Sequence, residues 1–291
     1  AIGSAPLNAG EVTNKGVELS LNYNGKLSQD FDFSVRPGIT YNKNKITDLL
    51  GGPYISGIEI NEKGSSIKSY YGYASNGILQ YSDFEADKTT AKVPVVAGQG
   101  PGDIKYIDLN GDGIIDENDQ QIIGDPTPRI NYFANFNFRY KNLDLEFLLQ
   151  GTGDHDYSGN LGGKSAGYLW HPLNMSASGG VPTTYRAANT WRENNQDAIF
   201  PRLLANPATN VLRSDFWLFN ARYMRVKFIQ LGYRLNPAFM NKYGIKSSRI
   251  YMNVQNPFIF TDVKMADPES QGGSYTYAIM KTFSLGLTVN F

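Results

Sequence analysis

Phe283, Leu285, Leu287, Val289 and Phe291 occupy every second position of the final segment, with Ser284, Gly286, Thr288 and Asn290 between them. A spacing of two sends alternate side chains to opposite faces of a β-strand, so one face is apolar and the other polar or small. The same pattern recurs along the chain. Val17, Leu19, Leu21 and Tyr23 alternate with Glu18, Ser20, Asn22 and Asn24; after a turn predicted at Gly25 to Gln29, Phe31, Phe33, Val35, Ile39 and Tyr41 oppose Asp32, Ser34, Arg36 and Thr40. These read as a long hairpin. A second hairpin is predicted from Tyr132, Ala134, Phe136, Phe138 and Tyr140 through a two-residue turn at Lys141-Asn142 into Leu143, Leu145, Phe147 and Leu149. The run from Asn220 to Leu235 alternates but changes phase near Phe228 and Ile229, which predicts a bulge; Ile250, Met252 and Val254 begin a further strand before Asn256-Pro257.

Roughly eight to ten strands follow from these rules, each with an apolar face that lipid or a second sheet must cover. No stretch approaches 18 consecutive apolar residues, so no transmembrane helix is expected. Barrel strands cross a membrane with only about 9–11 alternating residues. Two packed sheets of a soluble sandwich would alternate in the same way, and alternation alone leaves both open. Two long polar, Gly- and Pro-containing stretches, 51–127 and 151–213, favour the membrane case. Loops of that length are uncommon in compact soluble domains but suit the outer side of a barrel. The amphipathic last strand, finishing on Phe291, resembles the assembly signal of bacterial outer-membrane barrels. The expected fold class is therefore all-β, a transmembrane antiparallel β-barrel with long extracellular loops. The start Ala1-Ile2-Gly3-Ser4 shows no signal peptide, so either one was removed or the chain begins mid-protein.

Charge and composition exclude several classes. Lysine plus arginine balances aspartate plus glutamate at 27 each, which gives no field for nucleic acid, and the absence of cysteine removes disulfides, thiolate metal sites and thiol nucleophiles. His155 and His171 stand without ligand spacing and read as surface or packing residues. Asp154, Asp156 and Glu193 are carboxylates whose separation nothing in the sequence fixes, so no glycosidase pair is assigned. Trp170, Trp191, Trp217 and the Tyr70-Tyr71-Gly72-Tyr73 run offer sugar-stacking surface, but loop packing and interface anchoring explain them as simply. Gly98-Gln99-Gly100-Pro101-Gly102 lacks the Lys-Ser/Thr ending of a phosphate loop.

Three blocks carry a family likeness. The first runs Pro101-Gly102-Asp103-Ile104-Lys105-Tyr106, through Asp108 to Gly113, to Ile123-Gly124-Asp125-Pro126-Thr127-Pro128; the second comprises Trp191, Glu193, Asn194 and Pro201-Arg202-Leu203; the third runs from Ser214-Asp215-Phe216-Trp217-Leu218 through Tyr223 to Tyr233. With Asn253 to Phe258 and the closing strand, they resemble the SusC/RagA group of TonB-dependent outer-membrane transporters over nearly the whole of residues 1–291. The resemblance implies the carboxy-terminal part of a 22-stranded barrel, with the plug and the TonB-contacting segment expected outside this chain. It further implies import of a bulky nutrient, a glycan or a peptide. The implied partners are a SusD-like surface lipoprotein, TonB acting through the plug, the remaining part of the barrel and outer-membrane lipid. No enzymatic activity is implied. Two other functions stay open on sequence: a soluble calcium-stabilised β-sandwich that binds surface glycans, and a SusC-shaped barrel that docks or assembles without transporting.

One motif has metal-like spacing. Asp108, Asn110, Asp112, Asp116 and Asp119 fall at positions 1, 3, 5, 9 and 12 of a calcium loop, with a carbonyl expected from Ile114 and glycine at Gly113. Asp119 in place of the usual glutamate shortens the last ligand. A structural Ca²⁺ there is expected to be weak, in the roughly 10⁻⁴–10⁻³ M range of extracellular modules. The competing reading is an acidic turn held by Asx side chains on backbone N–H groups.

Overall fold

The computed structural model describes residues 10–158, 188–204, 209–263, 267–269 and 279–291. Its main feature is one antiparallel sheet. The strands are β1 (Gly10–Ser20), β2 (Tyr23–Ser28), β3 (Phe31–Leu49), β10 (Ile130–Tyr140), β11 (Leu143–Thr152), β14 (Tyr223–Arg234), β15 (Ser247–Thr261) and β16 (Thr282–Asn290). They lie in the order β1-β3-β10-β11-β14-β15-β16, with β2 continuing the line of β1 beside β3. The remaining short strands, β4 (Tyr54–Ser56), β5 (Glu59–Asn61), β6 (Ser69–Tyr73), β7 (Ser75–Ile78), β8 (Ile104–Tyr106), β9 (Gln120–Gly124), β12 (Asp156–Tyr157) and β13 (Phe219–Asn220), belong to the long connections.

Several local features differ from the sequence expectation for identifiable reasons. The first strand divides at Leu21 and Asn22, where the Leu21 N–H donates to the Pro37 carbonyl at 3.0 Å. Pro37 has no N–H to return, so the ladder lapses for one step. The hairpin turn falls at Gln29-Asp30 rather than at Gly25 to Gln29, because β2 continues past a bulge between Lys26 and Ser28. The Lys141-Asn142 turn forms as expected, with Lys141 at φ 53°. The phase change in β14 is a bulge at Lys227: Phe228 pairs with Leu148 and Val226 with the adjacent Leu149. Strand β15 does not stop before Asn256-Pro257 but runs through it, the pair bulging opposite Lys227 with Asn256 at φ 50°. Within segment 51–127 the neighbouring strands β6 and β7 lie in different small sheets.

The register sorts the side chains by face. Tyr23, Val35, Phe136, Phe147, Ile229, Val254 and Phe283 are consecutive partners across seven strands, all apolar. One residue along each strand, Asn24, Ser34, Asn137, Glu146, Gln230, Asn253 and Ser284 are consecutive partners, all polar. Among the described residues no second sheet packs on the apolar face: Phe283 is 73% and Leu285 80% exposed. A β-sandwich would bury that face, so the soluble-sandwich reading does not fit this architecture.

The buried core sits elsewhere, in the long connections. Leu79, Phe84, Ile104, Tyr106 and Trp217 are all buried there. Segment 51–127, expected to hold little regular structure, contributes a four-stranded sheet, β4-β5-β6-β9, and the β7-β8 pair. The turns at Gln29-Asp30 and Lys141-Asn142 mark the opposite, short-turn end of the wall. Strand β3 has 19 residues, roughly 60 Å at ~3.3 Å per residue, well beyond the ~25 Å apolar band of an outer-membrane barrel. The wall therefore extends past such a band on the side of the long connections.

Candidate functional site

Two regions position functional side chains: the polar face of the wall and the folded cluster above it. On the polar face, Asn137 donates from Nδ2 to Asn135 Oδ1 at 2.5 Å, and Asn135 donates to Glu146 Oε1 at 3.3 Å. Nearer the short turns, Arg249 reaches across Gly232 to Asp144, with Nε at 3.0 Å from Oδ1 and a second contact from Nη2 to Oδ2. Glycine at 232 leaves room for this pair, since a Cβ there would press on the guanidinium and the carboxylate. Asn137, Glu146, Asp144 and Arg249 line a concavity of about 810 Å³ with Lys26, Asp32 and Arg139. Towards the long connections, buried Arg225 donates to Asp267 at 2.6 and 2.7 Å and to Glu269 at 2.8 Å, while Lys227 donates to Glu269 at 2.7 Å. Arg225 pairs in register with Gln150 of the polar face, so the Asp267–Glu269 stretch is tied to that side. Mixed polar and paired charges in a groove suit passage or docking of a hydrophilic solute. No nucleophile with an adjacent base occurs among them.

In the cluster built by the long connections, the outer cluster of the membrane reading, the three motif blocks meet. Fully buried Asp103 accepts from Arg202 Nε at 2.8 Å and Nη2 at 2.7 Å, from Asn210 Nδ2 at 2.8 Å and from the Gly100 N–H at 2.8 Å. Asn210 Oδ1 accepts the Ile104 N–H, and its backbone carbonyl accepts from Trp217 Nε1 at 3.0 Å. Gly102, at φ 93°, lies against the Trp191 indole, whose Nε1 donates to Gln80. Burial pushes the Tyr106 phenol far up; its O–H donates to the Thr209 carbonyl at 2.6 Å. The shared motif residues are thus a structural hub. Asp103 and Arg202 fall in separate blocks with no sequence signal that pairs them, and Asn210 lies in no block.

The calcium-like loop closes largely on its own backbone. Asp108 accepts the Gly111 and Gly113 N–H groups at 2.7 Å each, Asn110 accepts from Asp112, Asp112 from Ile114, and Asp116 from Asn118. Fully buried Asp119 accepts the Leu109, Asn110 and Asp116 N–H groups. The Asp116 N–H foremost, with those of Leu109 and Asn110, holds the Asp119 carboxyl below the usual carboxylate range. Asn110, Asp112 and Ile114 are exposed, with Asp108 and Asp116 half-buried. Among the described residues no three carboxylates or imidazoles converge as a metal cage.

The other singled-out residues have ordinary settings. His155 is buried, with Nδ1 at 3.0 Å from the Gly153 carbonyl oxygen. Trp191, Trp217, Tyr70 and Tyr73 are buried and offer no open stacking face. Asp154 pairs with Asn220 and Arg222, and Glu193 with Tyr81 and Lys88. Trp170 and His171 lie outside the described residues.

Comparison with known proteins adds named relatives. No family model matches the chain. A TonB-dependent receptor P3 of Formosa agariphila is 31% identical over 316 aligned positions, covering 100% of this chain and 30% of the relative. TonB-dependent receptor SusC of Bacteroides thetaiotaomicron is 28% identical over 98% of this chain and 27% of its own length. The likeness to SusC-type TonB-dependent receptors runs from end to end. The SusC-like chain spans about 30% of the length of the curated relatives it matches. Its fold matches a chain of the RagAB peptide transporter at TM-score 0.72 and 21% identity, over 98% of this chain and 30% of that one. The same match holds in the open-open state of the RagAB importer, at TM-score 0.68. The SusC-like wall is thus mostly antiparallel sheet with the fold of the matched RagAB chain, and its named relatives are TonB-dependent receptors.

Proposed function

We propose that this chain forms a later stretch of the wall of an outer-membrane importer for a bulky nutrient, a glycan or a peptide. The observation that carries the reading is the pair of neighbouring rows, one apolar and one polar, running unbroken through seven strands. Lipid can satisfy only the apolar row, and a strand-based span must close so that no backbone edge meets hydrocarbon. The remaining part of the barrel therefore comes from outside this chain. A SusD-like lipoprotein caps the outer side, and TonB acts through a plug held against the polar face. The wall performs no bond chemistry; it carries the plug, the lid contacts and part of the path.

Membrane fractionation with detergent extraction, followed by intact-mass measurement of copurifying chains, tests this. Recovery only in detergent beside a plug-bearing portion and a surface lipoprotein is expected. Recovery as a soluble 32.3 kDa monomer would sink it. Uptake of labelled oligosaccharide or peptide by cells then separates import from docking alone.

Calcium belongs to the same proposal in a limited form. A weak structural ion would be held by side-chain oxygens of Asp108, Asn110, Asp112 and Asp116, shared with the loop's own N–H groups, and by the Ile114 carbonyl, while Asp119 secures the loop from within. Millimolar calcium is expected to raise the melting temperature of the outer cluster in the parent and not in Asp112→Ala. An unchanged melting curve in both rejects the ion and leaves the Asx turn as the whole account.

A further inference from the structure

Two of the short-end connections take two residues each, at Gln29-Asp30 and Lys141-Asn142. Between β14 and β15 there are instead twelve residues, from Leu235 to Lys246. They fold locally: Asn236 caps a single helical turn, α1 (Pro237–Met240), by accepting the Ala238 N–H at 2.9 Å, with Pro237 in its first turn. A tight turn Asn241–Tyr243 follows and ends at Gly244, φ 73°.

The register fixes which side of the wall this segment covers. Ser248 alternates with Arg249 and so shares its face with Ile250, Met252 and Val254, the apolar face. Ile250 is 41% exposed there, yet Ser248 is only 4% exposed. Something lies over it. Helix α1 packs against β15, Met240 is buried, and the Leu235 N–H donates to the Ser248 carbonyl at 2.9 Å. The segment is therefore folded outward onto the apolar side. It sits just beyond the row Phe31, Tyr140, Leu143, Tyr233, Ile250 and Leu287, whose three aromatic rings mark the short-turn border of the apolar face.

Its free surface is amphipathic. Phe239 is 53% and Tyr243 66% exposed, their rings edge to face at 5.5 Å. The segment holds Lys242 and Lys246 and no carboxylate. Lys242 is exposed, and Lys246 also donates to the Phe291 backbone oxygen at 2.9 Å. Two open aromatic rings with cations beside them, continuous with a lipid-facing surface, have the composition of a membrane-interface anchor.

We propose that residues 235–246 form a foot lying in the headgroup layer of the leaflet on the short-turn side, with Phe239 and Tyr243 at the acyl boundary and Lys242 against lipid phosphate. This rests on the membrane reading above. The foot fixes how deep the wall sits and stops this edge of the sheet from sliding outward.

The chain has no cysteine, so a nitroxide placed by Ala238→Cys has no competing thiol within it and leaves both rings intact. The full-length protein is reconstituted in phosphatidylethanolamine–phosphatidylglycerol vesicles, and relaxation by oxygen is compared with relaxation by a water-soluble nickel chelate. Leu285→Cys, on the apolar face, and Asn142→Cys, in a short turn, are the references. A label at Ala238→Cys relaxed by oxygen at least several-fold more strongly relative to nickel than at Asn142→Cys, and lost when Phe239→Ser and Tyr243→Ser are added, is the expected result. Equal nickel access at Ala238→Cys and Asn142→Cys overturns the foot, and shielding from both reagents overturns it in favour of a protein cover. Failure of Leu285→Cys to report lipid instead overturns the membrane reading itself.

Discussion

Arg202 grips Asp103 through two parallel hydrogen bonds of 2.8 and 2.7 Å, across 99 residues of sequence. The pair joins the second family block to the first, and Asn210 adds a third donor to the same carboxylate. Removing Asp103 leaves a guanidinium, an amide and the Gly100 N–H without their acceptor. Asp103→Ala is expected to destabilise the outer cluster by about 3–5 kcal/mol. Limited proteolysis of the full-length protein should cut segment 51–127 while the strand signal in circular dichroism persists.

Gly102 is constrained twice. Its φ of 93° disfavours any side chain, and a Cβ would stand 2.4 Å from the Trp191 ring. Gly102→Ala is expected to cost about 1–3 kcal/mol for the backbone alone and to displace the indole. A red shift of tryptophan fluorescence at lower temperature than in the parent checks it.

Arg225 holds Asp267 and Glu269 on the polar side of the wall. Arg225→Leu takes the guanidinium away from both carboxylates and leaves Glu269 to Lys227, whereas Arg225→Lys keeps the charge but not the two-pronged grip. Hydrogen exchange at 267–269 is expected to rise strongly in the first and modestly in the second.

Acid should loosen the calcium-like loop. The Asp119 carboxyl is held below its ordinary range by the Asp116, Leu109 and Asn110 N–H groups. A depressed folded value gives stability that is present above the unfolded value, near 3.9, and lost as pH falls through the lower folded value. Asp156 has the opposite sign: burial, with Asp125 and Asp154 nearby, raises it above its ordinary value against the pull of the Asp125 N–H. Its contribution is present in acid and lost as pH rises through the raised value. Asp119→Asn should flatten the acid limb of a melting-temperature profile below about pH 4, and Asp156→Asn should raise the melting temperature at neutral pH.

The wall was legible in the sequence because alternation is local: each strand announces its two faces within a few residues. The Lys141-Asn142 turn and the Lys227 bulge were visible for the same reason. The division at Leu21 was not, since its cause, Pro37, lies on the neighbouring strand. Nor was the passage of β15 through Pro257, which depends on a bulge matched by its partner. The outer cluster hid more. Segment 51–127 has loop composition because its short strands are ordered by buried polar pairs between distant residues, and no periodicity encodes those. The short helical turn at Pro237–Met240 carried a usable signal, Asn236 before Pro237, which has no period of two.

Lys227 behaves as a frame marker for everything beyond it. On the short-turn side Ile229, Leu231 and Tyr233 face outward, whereas past Lys227 the outward positions become Val226 and Met224 and the inward one Arg225. Losing that single residue would turn the outer half of β14 inside out, presenting Arg225 to hydrocarbon and Val226 to water. Length along this strand is therefore inherited in two separately counted pieces. An insertion or deletion within this strand therefore does what no single substitution does: it moves every residue beyond it to the other face.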